Sequence, residues 1–317
     1  MEVKIQPLVD LLFTKLNDLG QSGQKPVDTA TLIAHFAFDA MGIINVSEPF
    51  GFLSKGVDVE GAIGAIEVAN TYFSVIAQAP WMHTFMLGNR FVQKAMEGGN
   101  PVLNLALAMV DKRLAAAKAT TNGKKNQQDT TDFLGRLLET SESAEVSKDG
   151  GIAKPTYEQI VAFVLANTMA GYATVAVALR SILYHLARNP DAYTRLQREL
   201  DEAFASGTLS QTHTVAEAGK LPYLDAVVTE ALRVHPVLGL ILEREVPAGG
   251  AVLAGQHVPE GTVVGFNPWV IMHNREVYGE DADVFRPERW LGVEEGKLKE
   301  MRRCNITVSF VLPPSQG

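Results

Sequence analysis

Thr229-Glu230-Ala231-Leu232-Arg233-Val234-His235-Pro236 is the stretch on which the fold turns. Three residues apart on a helix, Glu230 and Arg233 project from one side. Leu221-Pro222 opens that helix and His235-Pro236 closes it, because the residue before a proline is pushed out of helical conformation. An isolated Glu-x-x-Arg is ordinarily an exposed ion pair worth little. Here Phe285-Arg286-Pro287-Glu288-Arg289-Trp290 follows, and its Arg289 can complete a Glu-Arg-Arg cluster with Glu230 and Arg233.

Upstream lies the longest helical run in the chain. Thr156 and Gln159 have capping-box spacing behind Pro155, and Asn189-Pro190 ends the run. That predicts about 33 residues, or roughly 50 Å of helix. Residues 160–179 carry no charge, which is long enough for a bilayer core. Two readings stand, a membrane span and a buried central helix. Asn167, Thr168, Gly171, Tyr172 and Thr174, and the unbroken continuation into Arg180 and His185, favour the buried helix.

Further out, Leu8, Leu11, Leu12, Leu16 and Leu19 repeat at helical spacing up to Gly20. Helices are also predicted over 29–41, 61–76, 90–96, 101–118 and 132–139, with polar loops over 119–131 and 141–151. Pro190 suits the first turn of a helix with Tyr193, Leu196, Leu200 and Phe204 on its apolar face. After Pro236 the texture changes. Gly249-Gly250 and Pro259-Glu260-Gly261 punctuate the short runs 251–253 and 262–266, which are hairpin signals.

The 317 residues are 46% hydrophobic and 20% charged, an ordinary globular composition. With 28 Lys and Arg against 36 Asp and Glu, and no basic block, nucleic acid is excluded as a partner. One cysteine, Cys304, excludes a disulfide framework and a multi-cysteine zinc site. Residues 1–10 include Glu2, Lys4 and Pro7 and lack the pattern of a secretory signal, so no amino-terminal membrane anchor is expected. There is no phosphate loop, Gly-x-Ser-x-Gly elbow or His-Glu-x-x-His pair.

The 229–236 and 285–290 segments resemble the Glu-x-x-Arg helix and the Pro-Glu-Arg segment of cytochromes P450, the haem-thiolate monooxygenases. That resemblance gives Glu230, Arg233 and Arg289 the structural role of locking the fold behind the haem. Ala170-Gly171-Tyr172-Ala173-Thr174 is similar to the family's oxygen-groove pattern, Ala/Gly-Gly-x-Asp/Glu-Thr. It makes Thr174, Gly171 and Ala170 the catalytic candidates. Gly171 would leave room for a ligand against the backbone, and the Thr174 hydroxyl can return to the carbonyl four residues back. Alone, Thr174 is simply a threonine packed in a buried helix. Ala173 departs from the pattern, since an acid thought to relay protons stands there in the family.

Leu242-Glu243-Arg244 and the runs after it resemble the family's small sheet, in which Arg244 matches the basic residue that pairs with a haem propionate. Without that alignment, an exposed strand arginine is an equal reading. His273 falls where the family often has His-Arg and is read as structural. Phe36-Ala37-Phe38-Asp39 and Pro49-Phe50-Gly51-Phe52-Leu53 resemble fungal members of the pisatin demethylase and benzoate hydroxylase kind.

The resemblance implies a mainly α fold with a small β region, an incomplete cytochrome P450 fold. It would be one partial domain over 1–317: helical in 1–248, with the small β region and Pro-Glu-Arg segment in 249–310 and an aberrant tail in 311–317. The amino-terminal third is expected to be missing. The cofactor implied is haem iron, with NADPH-cytochrome P450 reductase as electron donor and a small organic substrate receiving one oxygen atom. Complete members sit at the endoplasmic reticulum membrane, and this chain without an anchor is expected in the cytoplasm. The family holds iron through the cysteine of Phe-x-x-Gly-x-Arg-x-Cys-x-Gly. If Phe310 is its first phenylalanine, Pro313, Ser315 and Gly317 replace the glycine, arginine and cysteine. The thiolate cysteine is therefore expected to be absent, and Cys304, which precedes Phe310 beside Arg302 and Arg303, to be a free, partly buried thiol. Two other classes stay open: a non-catalytic helical remnant that binds no haem, and a membrane-spanning helical protein.

Overall fold

The computed structural model describes residues 2–79, 81–87, 89, 99–119, 132–143 and 155–307. The helix expected over 90–96 and the tail 311–317 lie outside the described residues, as do Phe310 and most of both expected loops. The chain divides into two compact units, Met1–Ala176 and Val177–Gly317. Helices dominate both, and the strands are few and short.

The first unit begins with α1 (Glu2–Gly20) and α2 (Thr29–Val46). The leucine stripe of α1 is used in its first half. Leu8, Leu11 and Leu12 pack with Leu32, Ala40, Ile43 and Leu53, while Leu16 and Leu19 stay 37% and 54% exposed. Asp28 caps α2, its carboxylate accepting from the N–H groups of Ala30 and Thr31 at 3.0 and 3.1 Å. The helix runs past its expected end at Met41 to Val46. Gly42 is needed within it, because a Cβ there would strike the Glu48 carbonyl oxygen and the Phe50 ring. Burial around its whole circumference makes α2 the central helix of this unit. Its buried Asp39 accepts from the N–H groups of Gly51, Phe52 and Leu53 at 2.7, 3.1 and 2.9 Å and so organises the short α3 (Phe52–Lys55).

There follow α4 (Ala62–Ile76), α5 (Trp81–Leu87), which the sequence patterns did not signal, α6 (Pro101–Ala119) and α7 (Phe133–Ser143). Asp132 stands just before α7, accepting from Gly135 N–H at 2.6 Å and pairing with Arg113 Nε at 3.0 Å. Then comes α8 (Tyr157–Arg188), whose 32 residues give about 48 Å of helix. The capping box forms as expected: Thr156 N–H donates to Gln159 Oε1 at 2.9 Å and Gln159 N–H to Thr156 Oγ1 at 3.3 Å. Ile160, Val161 and Val164 of α8 share a core with Val46, Ala106, Val110 and Leu134.

By length and composition α2 and α8 are both apolar enough to cross a membrane, with 72% and 33% of their apolar windows buried. The polar residues of α8 are used internally in the first unit. Asn45 of α2 donates to Thr168 Oγ1 at 2.9 Å and accepts from Asn167. A buried polar pair of this kind is satisfied, and it fixes the register of α8 against α2.

In the second unit, α9 (Pro190–Ala205), the single turn α10 (Val215–Ala218) and α11 (Pro222–Val234) carry the apolar side chains. Ala192, Leu196, Tyr223, Val227, Ala231 and Phe285 form one cluster. Strands β1 (Leu242–Glu245) and β4 (Val263–Phe266) pair antiparallel with Arg244 opposite Val264. Between them β2 (Ala251–Leu253) and β3 (Gln256–Val258) form a hairpin. The β region thus begins at Leu242, where the resemblance at Leu242-Glu243-Arg244 had it, and before the domain boundary expected at 249. The tight turn is also displaced from Gly249-Gly250 and Pro259-Glu260-Gly261 to Ala254-Gly255, where φ is 50° and 80°. Two left-handed residues match the twist of a two-residue hairpin. The unit closes with α12 (Pro268–Met272), α13 (Arg275–Tyr278), a 3-10 turn over Pro287–Trp290 and α14 (Glu295–Cys304).

Candidate functional site

In the first unit, α8 carries Ala170, Gly171 and Thr174. Ala170 is exposed and Thr174 half-buried. The Thr174 hydroxyl donates to the Ala170 carbonyl at 2.9 Å, with the Gly171 carbonyl 3.4 Å away. Such a bond back along the helix loosens the local backbone and marks a place where a helix can bend. The room beside Gly171 is not open to a ligand as expected. A Cβ there would collide with Sδ and Cε of Met41, so the thioether of α2 fills the space. Methionine is suited to such gaps, being unbranched and flexible. Tyr172 is buried with its ring 4.9 Å from that of Phe38. Ala173 brings no titratable group to this turn.

In the second unit, Glu230, Arg233 and Arg289 come together as one cluster, 0%, 0% and 3% exposed. Arg233 grips Glu230 bidentately at 2.8 Å through Nε and Nη2. Its remaining donors go to the carbonyls of Met272 and Ala282 at 2.7 Å and of Val284 at 3.3 Å. Arg289 Nε reaches Glu230 at 3.2 Å. Its other donors reach Asp281 Oδ1 and the Asp281 carbonyl at 2.8 Å, the Val284 carbonyl at 3.3 Å, and the Tyr278 carbonyl. Each guanidinium uses all of its N–H groups, which no lysine could imitate. Glu230 also accepts from Trp290 Nε1 at 2.8 Å and from Arg286 N–H at 3.1 Å.

Two arginines against one glutamate leave an excess positive charge in the interior. Asp281 supplies the balance, pairing with Arg289 and, at the surface, with Arg286. Hydrogen bonds from Arg286 and then Arg289 hold its carboxyl well below the usual carboxylate range. A lowered carboxyl stabilises the fold above its unfolded value near 4, and that contribution is lost as the pH falls toward the folded value. Urea midpoints should therefore fall between about pH 5 and about pH 3. Asp281→Asn should flatten that acid limb, and an unchanged slope would show that Asp281 does not act through this linkage.

Beside the cluster, the Tyr223 hydroxyl donates to Glu288 at 2.7 Å, and Arg195 reaches the same carboxylate at 3.1 Å. Burial, and next the Glu288 carboxylate, push the Tyr223 hydroxyl up. These contacts tie α9 and α11 to the Pro-Glu-Arg turn. Asp281, Trp290, Tyr223 and Met41 are the partners that motif reading did not assign. Trp290 ends the quoted segment, but neither periodicity nor spacing marks Asp281 or Met41.

Arg244 is exposed on β1, its Nη1 donating to the Glu243 carbonyl at 2.6 Å. His273 hydrogen-bonds through Nδ1 to the Trp269 carbonyl at 2.8 Å and stacks on that indole. Its role in these contacts is packing. Among the described residues no group of three His, Cys, Asp or Glu could hold a metal ion. Cys304 ends α14 half-buried, packed against the cluster that includes Ala226, Tyr278, Trp290 and Met301. A thiol held on a helix against an apolar cluster lacks the backbone donors that a haem thiolate needs. The described residues thus place their one cysteine in packing.

Comparison with known proteins bears on the whole chain. The family model described as Cytochrome P450 matches residues 1–304. A "Cytochrome P450 monooxygenase" of Aspergillus terreus is 36% identical over 286 residues, 90% of this chain and 56% of that protein. "Cytochrome P450 monooxygenase ACRTS1" of Alternaria alternata is 34% identical over 92% of this chain and 75% of its own length. A "Pisatin demethylase" of Fusarium vanettenii is 35% identical over 85% of this chain and 50% of its own length. This chain thus spans about half the length of most of the relatives it matches.

Proposed function

Because the chain belongs to the cytochrome P450 family, we propose that it is part of a haem-dependent monooxygenase. The reaction is insertion of one oxygen atom into a small organic substrate, with electrons from NADPH-cytochrome P450 reductase. Haem, when bound, supplies the oxidation chemistry, and the protein supplies orientation and proton placement. By this reading residues 1–317 are one partial domain, and the longer family form is held at the endoplasmic reticulum membrane.

The observation that carries the reading is the Thr174 hydroxyl on the Ala170 carbonyl, in a turn of α8 that resembles the family's oxygen-groove pattern except at Ala173. Thr174 holds its proton against the helix backbone, and Arg244 offers a cation from β1 to an anionic group of the cofactor. The remaining role, proton supply beside Thr174, has no carboxylate because residue 173 is alanine.

In a longer version that binds haem, supplied with NADPH and reductase, product should carry one oxygen atom from isotopically labelled dioxygen. Absence of label would overturn the monooxygenase reading. In the same system Ala173→Asp should raise the product formed per NADPH consumed, with less peroxide. An unchanged ratio would mean that water or Thr174 suffices.

A second reading, a non-catalytic helical remnant that binds no haem, is favoured by one observation. The sole cysteine of the sequence is packed at the end of α14. We infer that this chain by itself does not carry out the oxidation.

A further inference from the structure

Motif resemblance reaches the turn of α8 from Ala170 to Thr174 but not what stands behind it. In the first unit that support is α2, which meets α8 at three successive places. Asn45 donates to Thr168 Oγ1 at 2.9 Å and accepts from Asn167. One turn further along α8 the Met41 thioether fills the room beside Gly171, and the Phe38 ring lies 4.9 Å from that of Tyr172. Met41 is 6% exposed and Phe38 0%, so neither can withdraw into solvent.

Another side of the same turn is loosened. Ala170 is exposed, and its carbonyl accepts the Thr174 hydroxyl at 2.9 Å. In an α-helix that carbonyl is also the acceptor of the Thr174 N–H, so two donors share one oxygen. A turn pinned on one side and loosened on another can hinge. Its angle is then set by what fills the pinned side.

There Gly171 has no β-carbon, and its backbone rests directly on the thioether. Methionine is unbranched with three rotatable bonds, so its sulfur and terminal methyl can follow the backbone as α8 bends. A side chain branched near the backbone could not. We propose that Met41 is a positioning residue, a wedge of adjustable shape whose contact with Gly171 sets the bend of α8 and so where the Thr174 hydroxyl is held. Its use rests on the monooxygenase reading, which gives Thr174 a proton to hold, but its geometry is tested without haem.

Hydrogen–deuterium exchange of the full chain reads this turn through the N–H groups of Thr174 and Val175, whose helical acceptors are the Ala170 and Gly171 carbonyls. Met41→Ala leaves a void beside Gly171, and these amides should exchange at least about tenfold faster, while those of residues 162–166 change far less. A residue that merely packs the core would raise both sets together. Gly171→Ala alone should also speed Thr174 and Val175, since its β-carbon collides with the thioether. Combined with Met41→Ala, it should return their rates toward the parent's, because the β-carbon occupies space that the thioether left. Unchanged rates in Met41→Ala, an equal rise over 162–166, slower exchange in Gly171→Ala alone, or no return in the double variant would each overturn the proposal. Should Met41→Ala fail to fold, the double variant decides: near-parental exchange supports the wedge, and fast exchange or failure to fold overturns it. In a longer version that binds haem, Met41→Ala should lower the product formed per NADPH with KM unchanged, and the double variant should restore it. A ratio equal to the parent's in Met41→Ala would overturn the assignment as well. Product without label from dioxygen, by contrast, sinks the monooxygenase reading and leaves the exchange result standing.

Discussion

Arg289→Ala is expected to lower the unfolding free energy by about 3–5 kcal/mol, read as a large fall in denaturant midpoint. Its guanidinium is one of two positive groups held on the fully buried Glu230. Removing it takes a donor from each of the carbonyls of Tyr278, Asp281 and Val284, and leaves Asp281 without its buried partner. Glu230→Ala should cost at least as much, because the change leaves Arg233 buried without a carboxylate and Arg289 with only the half-buried Asp281. The backbone N–H of Arg286 and the Trp290 indole lose their acceptor in the same step. Against a typical total stability of about 5–15 kcal/mol, either change is severe. Arg233→Lys should also destabilise, since an ammonium cannot span two carboxylate oxygens and three carbonyls at once. A midpoint equal to the parent's in Arg289→Ala would mean that the cluster does not hold the second unit together.

The second large effect is spectroscopic. Purified as this chain and mixed with haem, the protein should give no thiolate-type carbon monoxide difference spectrum. Cys304 is the only cysteine in the sequence, and its thiol lies against Ala226, Tyr278, Trp290 and Met301 at the end of α14. To reach iron it would have to leave that packing, and it sits in the last turn of a helix. Weak haem binding through a histidine would give the spectrum of a nitrogen-ligated iron instead. Cys304→Ser should leave whatever spectrum is seen unchanged. A thiolate-type band that disappears in Cys304→Ser would overturn this account of the cysteine. Grafting a complete Phe-x-x-Gly-x-Arg-x-Cys-x-Gly loop in place of 311–317 should restore thiolate ligation only in a chain that also carries the remaining part of the family fold.

Much of this protein was legible in its residues because the relevant signals are local. The capping box of Thr156 and Gln159 and the breaks at Asn189-Pro190 and His235-Pro236 depend on neighbours within a turn of helix. So do the i to i+3 geometry of Glu230 and Arg233 and the return of the Thr174 hydroxyl to Ala170. The association of Arg289 with that pair came from motif resemblance, since 59 residues separate it from Glu230. What remained hidden lies at contacts between distant segments. The partner of the Leu242 strand, Val263–Phe266, and their register depend on the folded backbone. The turn at Ala254-Gly255 depends on the twist that the paired strands impose on its backbone. The extension of α2 to Val46 depends on close passage of the 48–50 segment over Gly42.

By itself the sequence determined the helical class, the long α8, the resemblance to one enzyme family, and the residue types of the buried cluster. Helical periodicity, capping and fixed spacing are written along the chain and need no partner to be read. Tertiary structure alone decided that Asp281 balances the charge of the cluster, that Met41 occupies the room beside Gly171, and that Asn45 meets Asn167 and Thr168. Charge balance, steric filling and polar pairing belong to atoms brought together from separate elements, and no one-dimensional pattern records which atoms those will be.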